Sequence, residues 1–360
     1  MERKVLHWSY HNFRELPQEL KEYSDEVEDL YLKENFITDF PKWFFEIRFL
    51  KFLQISGNLI EKLPNEITLL SNLDFLDVSK NVIKQLPSCF GELQNLERLY
   101  ISENQLEYLP EDIGQLSKLR VLECCKNKIT YIPISLANCT ALEELNFNDN
   151  ESLYEVPDRI LTLPRLEYIY VDRCNLYYLP TTLNTFSLKH VRMFENENLT
   201  HYPLVYEQYI PPMLHFTSPQ KVLFHTQQGI PQLLIPKENY VLNLPRSISN
   251  FRSCTSRNPP SLVELALHIA FNVVNSNQQS SHHLKKIMPD TLYNRLMMGP
   301  SGVCGNAACH RAIFKESCFV VLRRFKSNQQ YLFTQMFCGK DCTQAWTLHN
   351  IENYKCIWWS

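Results

Sequence analysis

Four cysteines near the C-terminal end carry the spacing with the most definite chemistry. Cys304-Gly-Asn-Ala-Ala-Cys309 and Cys338-Gly-Lys-Asp-Cys342 form a CxxxxC and a CxxxC pair, separated by 28 residues. Thiolates are soft ligands, and four of them suit tetrahedral Zn2+ in a closed structural site. A glycine follows the first cysteine of each pair, where a tight turn around a metal favours it. Between the pairs, Cys318-Phe-Val-Val-Leu and Tyr331-Leu-Phe-Thr-Gln-Met-Phe read as strands. The pattern predicts a small zinc-ribbon-like domain over 299–360, with Cys304, Cys309, Cys338 and Cys342 as ligands. His310 and Cys318 are spare candidates, but His310 adjoins a ligand and Cys318 sits in an apolar strand pattern. The competing reading is four free thiols. A catalytic zinc needs an open position and a nearby base, and the sequence offers neither. Seven Lys/Arg against three Asp/Glu in this tail give only a weak case for nucleic-acid binding.

The elements that position such a tail lie in a longer pattern upstream. Asn35, Asn58, Asn81, Asn104, Asn127 and Asn150 recur every 23 residues. Each follows one frame, as in Leu96, Leu99, Ile101, Asn104, Leu106 and Leu109-Pro110. Two further copies have altered spacing: Leu166, Ile169, Val171 and Leu176 with Cys174 in the asparagine slot, then Leu188, Val191, Met193 and Asn196. Leu6, Trp8, Phe13, Leu16 and Pro17 make a degenerate first copy with His11 in that slot. The frame LxxLxLxxNxL is that of the leucine-rich repeat. Its LxL residues face inward from a short strand, and the asparagine amide satisfies backbone groups of neighbouring turns. No single repeat can bury its apolar face, so repeats stack. The expected fold class is α/β: a leucine-rich-repeat solenoid over 1–203, with short parallel β-strands on its concave face. A small helical segment and the cysteine tail follow.

Bulk properties fit this. A chain of 360 residues with 44% hydrophobic content can build more than one core. A formal net charge of −3 points to neither a nucleic-acid binder nor an acidic tail. The N-terminal residues lack the apolar stretch of a signal peptide, and no run of eighteen apolar residues occurs. Cys89, Cys124, Cys139 and Cys174 lie inside repeat frames and read as small apolar residues. The expected setting is reducing and cytoplasmic, with the nucleus also open to the chain.

The outward strand positions define a candidate binding face. Phe52, Phe75, Arg98, Tyr100, Glu123, Tyr168, Tyr170 and Arg192 all fall on it, with Glu144 and His190 beside them. Phe52 with Phe75, and Tyr100 with Tyr168 and Tyr170, predict an aromatic band. Aromatic and arginine anchors are what binding hot spots use, which points to a protein partner; the plainer account is that aromatics favour strands. No catalytic constellation can be assembled from the scattered His190, and eight glycines in the chain form no phosphate-cradling loop.

After Pro203 the repeats fade. Residues 204–259 read as a capping insertion and linker, with two strands over 221–235 turning at Gln228-Gly229 and a polar stretch from Ser247 to Pro260. Pro259-Pro260-Ser261-Leu262-Val-Glu-Leu265-Ala266-Leu-His-Ile269-Ala270 then opens a helix. Ser261 and Glu264 suit a capping box, and Leu262, Leu265, Ala266, Ile269 and Ala270 share one face. This resembles the elongin-binding box of SOCS-box proteins, with Ala266 where that box usually has cysteine. Met288, Pro289, Leu292 and Leu296 follow in Ile287-Met-Pro-Asp-Thr-Leu-Tyr-Asn-Arg-Leu296, which resembles the cullin-selecting segment of such boxes. The resemblance, over 260–298, implies helix-in-groove docking on elongin C, with elongin B–C and a cullin as partners. The alternative is an amphipathic helix packed within the protein itself.

Taken together, the repeats, the helix and the CxxxxC…CxxxC tail resemble intracellular leucine-rich-repeat-containing proteins of the types numbered 28 and 58. The resemblance implies no enzymatic activity. The leading expectation is a substrate receptor of a cullin–RING ubiquitin ligase; the alternative is a non-catalytic scaffold or signalling adaptor.

Overall fold

The computed structural model describes residues 4–183, 186–209, 232–235, 240–243, 250–251, 262–276, 280–298, 300, 302–309, 311–314, 316–326, 329–350 and 355–359. They divide into two compact units. Unit 1 takes in Met1–Tyr154, Leu163–Asn175 and Asn184–Asn196; unit 2 takes in Glu155–Thr162, Leu176–Leu183 and Glu197–Ser360.

Unit 1 is a leucine-rich-repeat solenoid. Its strands are β1 (Lys4–His7), β2 (Val27–Tyr31), β3 (Phe52–Gln54), β4 (Phe75–Asp77), β5 (Arg98–Tyr100), β6 (Val121–Glu123), β7 (Glu144–Asn146), β8 (Tyr168–Tyr170) and β9 (His190–Arg192). They pair in chain order in one parallel sheet of nine strands. The central residue of each short strand points into the stack: Leu53, Leu76, Leu99, Leu122 and Leu145 are fully buried. The ΦP step then starts the return. Pro41, Pro64, Pro110 and Pro133 each sit at an extended position just before a short 3-10 turn. A proline fits there because its fixed φ is pre-set and its missing N–H is not needed.

The asparagines form a ladder. Asn104 Oδ1 accepts the Ile83 N–H at 3.0 Å, while its Nδ2 donates to Val78 O at 3.0 Å and Ile101 O at 3.1 Å. Asn58, Asn81, Asn127 and Asn150 repeat these three bonds one repeat apart. Each amide satisfies groups of two successive turns that no strand partner reaches. Cys174 keeps part of the role, its thiol donating to Phe147 O at 3.3 Å. His11 does not: its ring is turned to Ser9 O, and only its backbone N–H reaches the ladder, through Asn35 Oδ1. The residue before each ladder position has a positive φ, yet only Gly57 among them is glycine; Glu34, Lys80, Glu103, Lys126, Asp149, Arg173 and Glu195 accept the left-handed conformation. Strain of about 1 kcal/mol at each is held by the ladder bonds on both sides.

Unit 2 begins its regular structure with β10 (Tyr202–Pro203), β11 (Gln232–Ile235), β12 (Tyr240–Asn243) and β13 (Asn250–Phe251). Three helices follow: α1 (Leu262–Ser276), α2 (Ser280–Ile287) and α3 (Asp290–Met298). Then come β14 (Gly302–Val303), β15 (Ala312–Ile313), β16 (Glu316–Lys326), β17 (Gln329–Phe337), α4 (Lys340–Asn350) and β18 (Lys355–Trp359). The strands expected around Cys318 and Tyr331 are the long antiparallel pair β16–β17. Its neighbours are β10, β13 and β18. In the middle stretch Leu233 and Leu234 of β11 face Leu242 and Val241 of β12 in an antiparallel pair; residues 210–231, including Gln228-Gly229, and residues 236–239 lie outside the described residues. Part of the polar stretch is also used, since Asn250 and Phe251 pair with Glu316 and Ser317.

Candidate metal centre and interaction surfaces

The two cysteine pairs are brought together by different devices. Cys304 and Cys309 bracket the loop between β14 and β15, where the Cys304 N–H donates to Arg311 O at 2.9 Å and the Cys309 N–H to Asn306 O at 2.8 Å. Cys338 follows the end of β17, and Cys342 sits in the first turn of α4. The second pair therefore belongs to a strand-to-helix corner, which departs from the two matching hairpin knuckles of a ribbon. A helix here was not legible. Its buried face includes Thr343 and Thr347, whose polar side chains mask the apolar period. Both hydroxyls are spent on the chain itself, donating to Gly339 O at 3.0 Å and Thr343 O at 2.7 Å.

All four sulfurs lie within 4.8 Å of one another. Cys338 Sγ is 3.6 Å from Cys309 Sγ and 3.7 Å from Cys342 Sγ, and the Cys338 N–H points at Cys304 Sγ from 3.5 Å. The cluster can hold a metal ion. Within the cluster, hydrogen bonding from Cys338 draws the Cys304 thiol below its ordinary value, while burial pushes Cys342 above it. Cys318 is apart from the cluster, buried in β16 opposite Phe337; His310 lies outside the described residues. Gly305 is not in a left-handed turn; a Cβ there would come within 2.2 Å of the Gln335 side chain, which would have to move aside.

Helix α1 is anchored beside this centre. Leu267, Ala270, Leu296, Ala312 and Phe314 form a buried cluster, with Val263, Phe271, Leu284 and Met288 packed against it. The face used inside unit 2 is thus Val263, Leu267, Ala270 and Phe271, turned from the face read in the sequence. The helix is apolar on two sides, and periodicity alone does not choose between them. Ala266 and Ile269 face solvent, Ile269 at 63% exposure. The side chains of Leu262 and Leu265, like Ser261 as a whole, lie outside the described set. Glu264 is buried, and its Oε1 accepts the Phe314 N–H at 2.6 Å; its expected capping-box partner Ser261 lies outside the described residues. In the segment after it, Leu296 is core and Met288 is half-buried, while Pro289 is exposed and Leu292 half-buried.

The outward face of the unit 1 sheet holds the remaining candidates. Rings run across five strands: His7 on Tyr31 at 4.5 Å, Tyr31 on Phe52 at 4.8 Å, Phe52 stacked on Phe75 at 4.0 Å, and Phe75 beside Tyr100 at 5.3 Å. The Arg98 guanidinium lies over Phe75 at 5.5 Å. A second group stands on β8 and β9, where Tyr168 stacks on His190 at 5.3 Å and Arg192 lies over Tyr170 at 6.0 Å. The two groups do not make one band. The register places β6 and β7 between them, so Glu123 and Glu144 separate Tyr100 from Tyr168 and Tyr170. Burial, then the neighbouring carboxylates Glu144 and Asp77, push Glu123 above its ordinary value; burial does the same to Glu144. Folding therefore disfavours both charges, and lowering the pH through the raised range relieves that penalty.

A solenoid whose open face carries aromatic anchors, followed by a unit built around four thiols, defines the class: a leucine-rich-repeat solenoid with a metal-competent C-terminal unit. Comparisons with known proteins agree on the first part. A family model described as "Leucine-rich repeat region" matches residues 42–126. Among solved structures, the chain is similar to the ectodomain of the Arabidopsis thaliana receptor kinase GASSHO1/SCHENGEN3, crystallised with CASPARIAN STRIP INTEGRITY FACTOR 2. The two share 28% identity over 45% of this chain and 20% of that one, with a TM-score of 0.42. It is also similar to a leucine-rich-repeat protein of Leptospira interrogans (22% identity, 52% of this chain and 59% of that one, TM-score 0.36). A third similarity is to the Drosophila Toll–Spatzle complex (23% identity, 53% and 26%, TM-score 0.48). The chain spans less than two thirds of each of these. No curated protein matches it significantly.

Proposed function

We propose that the chain is a protein-interaction protein that holds a protein ligand on the open face of unit 1 and acts as a substrate receptor of a cullin–RING ubiquitin ligase. The observation that carries the first half is the run of stacked rings from His7 to Tyr100 on that face. Such a surface favours association, because aromatic side chains bring large apolar area at low entropic cost. Leucine-rich-repeat domains generally mediate protein–protein interaction. The second half rests on the solvent-facing pair Ala266 and Ile269, with Leu262 and Leu265 on the same side of the helix in sequence, as the groove-inserting side. Pro289 and Leu292 are left for a cullin, since Leu296 is occupied by the core. A scaffold without ligase association remains the second reading, favoured by how much of α1 and α3 the cluster around Phe314 already uses.

The four-thiol cluster is assigned to Zn2+ in a structural role. A tetrahedral ion with Zn–S bonds of about 2.3 Å sets sulfur–sulfur edges of about 3.8 Å, and the distances of 3.6 and 3.7 Å fit it. Four thiolates and no open position suit a closed site.

The elongin half is tested by titrating purified elongin B–C against the full chain. Wild type should bind at micromolar concentration or below. Ala266→Asp with Ile269→Asp should weaken binding by about tenfold or more, from lost apolar burial and a desolvated charge. The melting midpoint should hardly change, because both side chains face solvent. A wild-type chain that does not bind at micromolar concentration removes the ligase reading and leaves the scaffold.

A further inference from the structure

The outward face between the two aromatic groups is electrostatically unfinished. Tyr100, Glu123, Asn146 and Tyr170 stand in one row across β5 to β8, and Arg98, Val121, Glu144 and Tyr168 in the next. Adjacent strands are about 4.8 Å apart, so the tyrosines of the first row stand about 14 Å apart, with the two carboxylates between them. Several other acidic side chains of unit 1 do have cations: Arg120 holds Glu143, Lys126 holds Glu103, and Arg173 holds Asp149. Among the described residues no lysine or arginine forms an ion pair with Glu123 or Glu144. The nearest cation in the rows, Arg98, is laid over the Phe75 ring.

We propose that the ligand of this face presents lysine or arginine side chains from an extended protein segment, received between Tyr100 and Tyr170 above the Glu123 and Glu144 carboxylates. This rests on the reading of the open face as a protein-binding surface, and narrows it. The charge complementarity is direct. A basic side chain supplies the counter-charge that the fold withholds, and a tyrosine ring at either end of the row can attract a cation that comes beside it. Desolvation of the two acids works in the same direction, since a charge already partly stripped of water loses less on binding. An apolar segment would leave both carboxylates covered and unpaired, at a cost.

The experiment is selection of a displayed random-peptide library on the full chain, followed by binding of the best peptide to variants. The selected peptides should be enriched in lysine and arginine, and their binding should weaken with salt. Glu123→Gln with Glu144→Gln should cost about tenfold or more in affinity, the size of one close charge pair. The same variant should raise the melting midpoint, because it removes two mutually repelling, desolvated charges. Apolar or acidic binders, or basic binders indifferent to Glu123→Gln/Glu144→Gln, overturn the charge assignment. They leave the face itself standing if Tyr100→Ala/Tyr170→Ala abolishes their binding. Binders indifferent to both variants, or no binders, overturn the face as well. A lowered midpoint in the glutamine variant also counts against the proposal, since it would make the acids structural.

Discussion

Cys338→Ser is expected to release the metal and unfold the C-terminal part of unit 2 while the repeats stay folded. Cys338 is the hub of the cluster: its sulfur is the one close to both Cys309 and Cys342, and its N–H is the one aimed at Cys304. The loss is large by any comparison. Structural zinc contributes on the order of 10 kcal/mol in apparent terms, about the whole stability of an ordinary domain. The cluster joins four pieces of chain at one point: the two-residue strands β14 and β15, the end of β17 and the first turn of α4. Limited proteolysis should cut the variant within 299–360 and leave a resistant N-terminal fragment. Elemental analysis should fall from about one zinc per chain in the wild type to none in the variant. Unchelated wild-type protein that carries no zinc, or a variant as protease-resistant as the wild type, contradicts this account.

Asn104→Ala should destabilise unit 1 by about 2–5 kcal/mol, from one stranded buried N–H and two lost hydrogen bonds. The side chain is buried and makes three ladder bonds, so its removal strands the Ile83 N–H, while the carbonyls of Val78 and Ile101 each lose one donor and keep another, from Asn81 and Asn127. Each unpaired buried group costs about 1–3 kcal/mol. Asn104→Asp should be worse, since it turns a carboxylate toward the two carbonyls that now accept. Asn104→Cys should be milder, because the chain already tolerates Cys174 in the same slot as a thiol donor. Urea unfolding followed by far-ultraviolet circular dichroism ranks the three. Equal midpoints for alanine and wild type would mean the ladder carries no energy.

The solenoid and the cluster of four cysteines are readable in the sequence for a shared reason: both are set by residues at fixed spacing whose chemistry has few alternatives. An asparagine every 23 residues and a pair of cysteine pairs survive any local detail. What was not readable depends on contacts between distant segments. Glu264 accepts the Phe314 N–H fifty residues away, a contact that no local pattern announces. Helix α1 is apolar on two sides, and only the arrival of Leu296, Ala312 and Phe314 decides that Leu267 is core and Ile269 is surface. Gly305 has the place of a turn residue, but what a Cβ there would meet is the Gln335 side chain. The left-handed residue before each ladder asparagine gives almost no signal either. Only Gly57 marks it; a lysine such as Lys80 or Lys126 in that conformation leaves no trace in composition. The outward aromatics were read correctly as outward. Their division into two groups follows from strand order, which places Glu123 and Glu144 between rings that composition alone would pool.

The central claim is that two separate surfaces serve two separate protein partners. Quantitative affinity purification of the full chain from cells tests it most directly, with wild type beside Tyr100→Ala/Tyr170→Ala and Ala266→Asp/Ile269→Asp. The account predicts that the tyrosine variant loses its ligand and keeps elongin B–C with a cullin, and that the aspartate variant does the reverse. A wild-type protein whose partners are the same as those of both variants would contradict it.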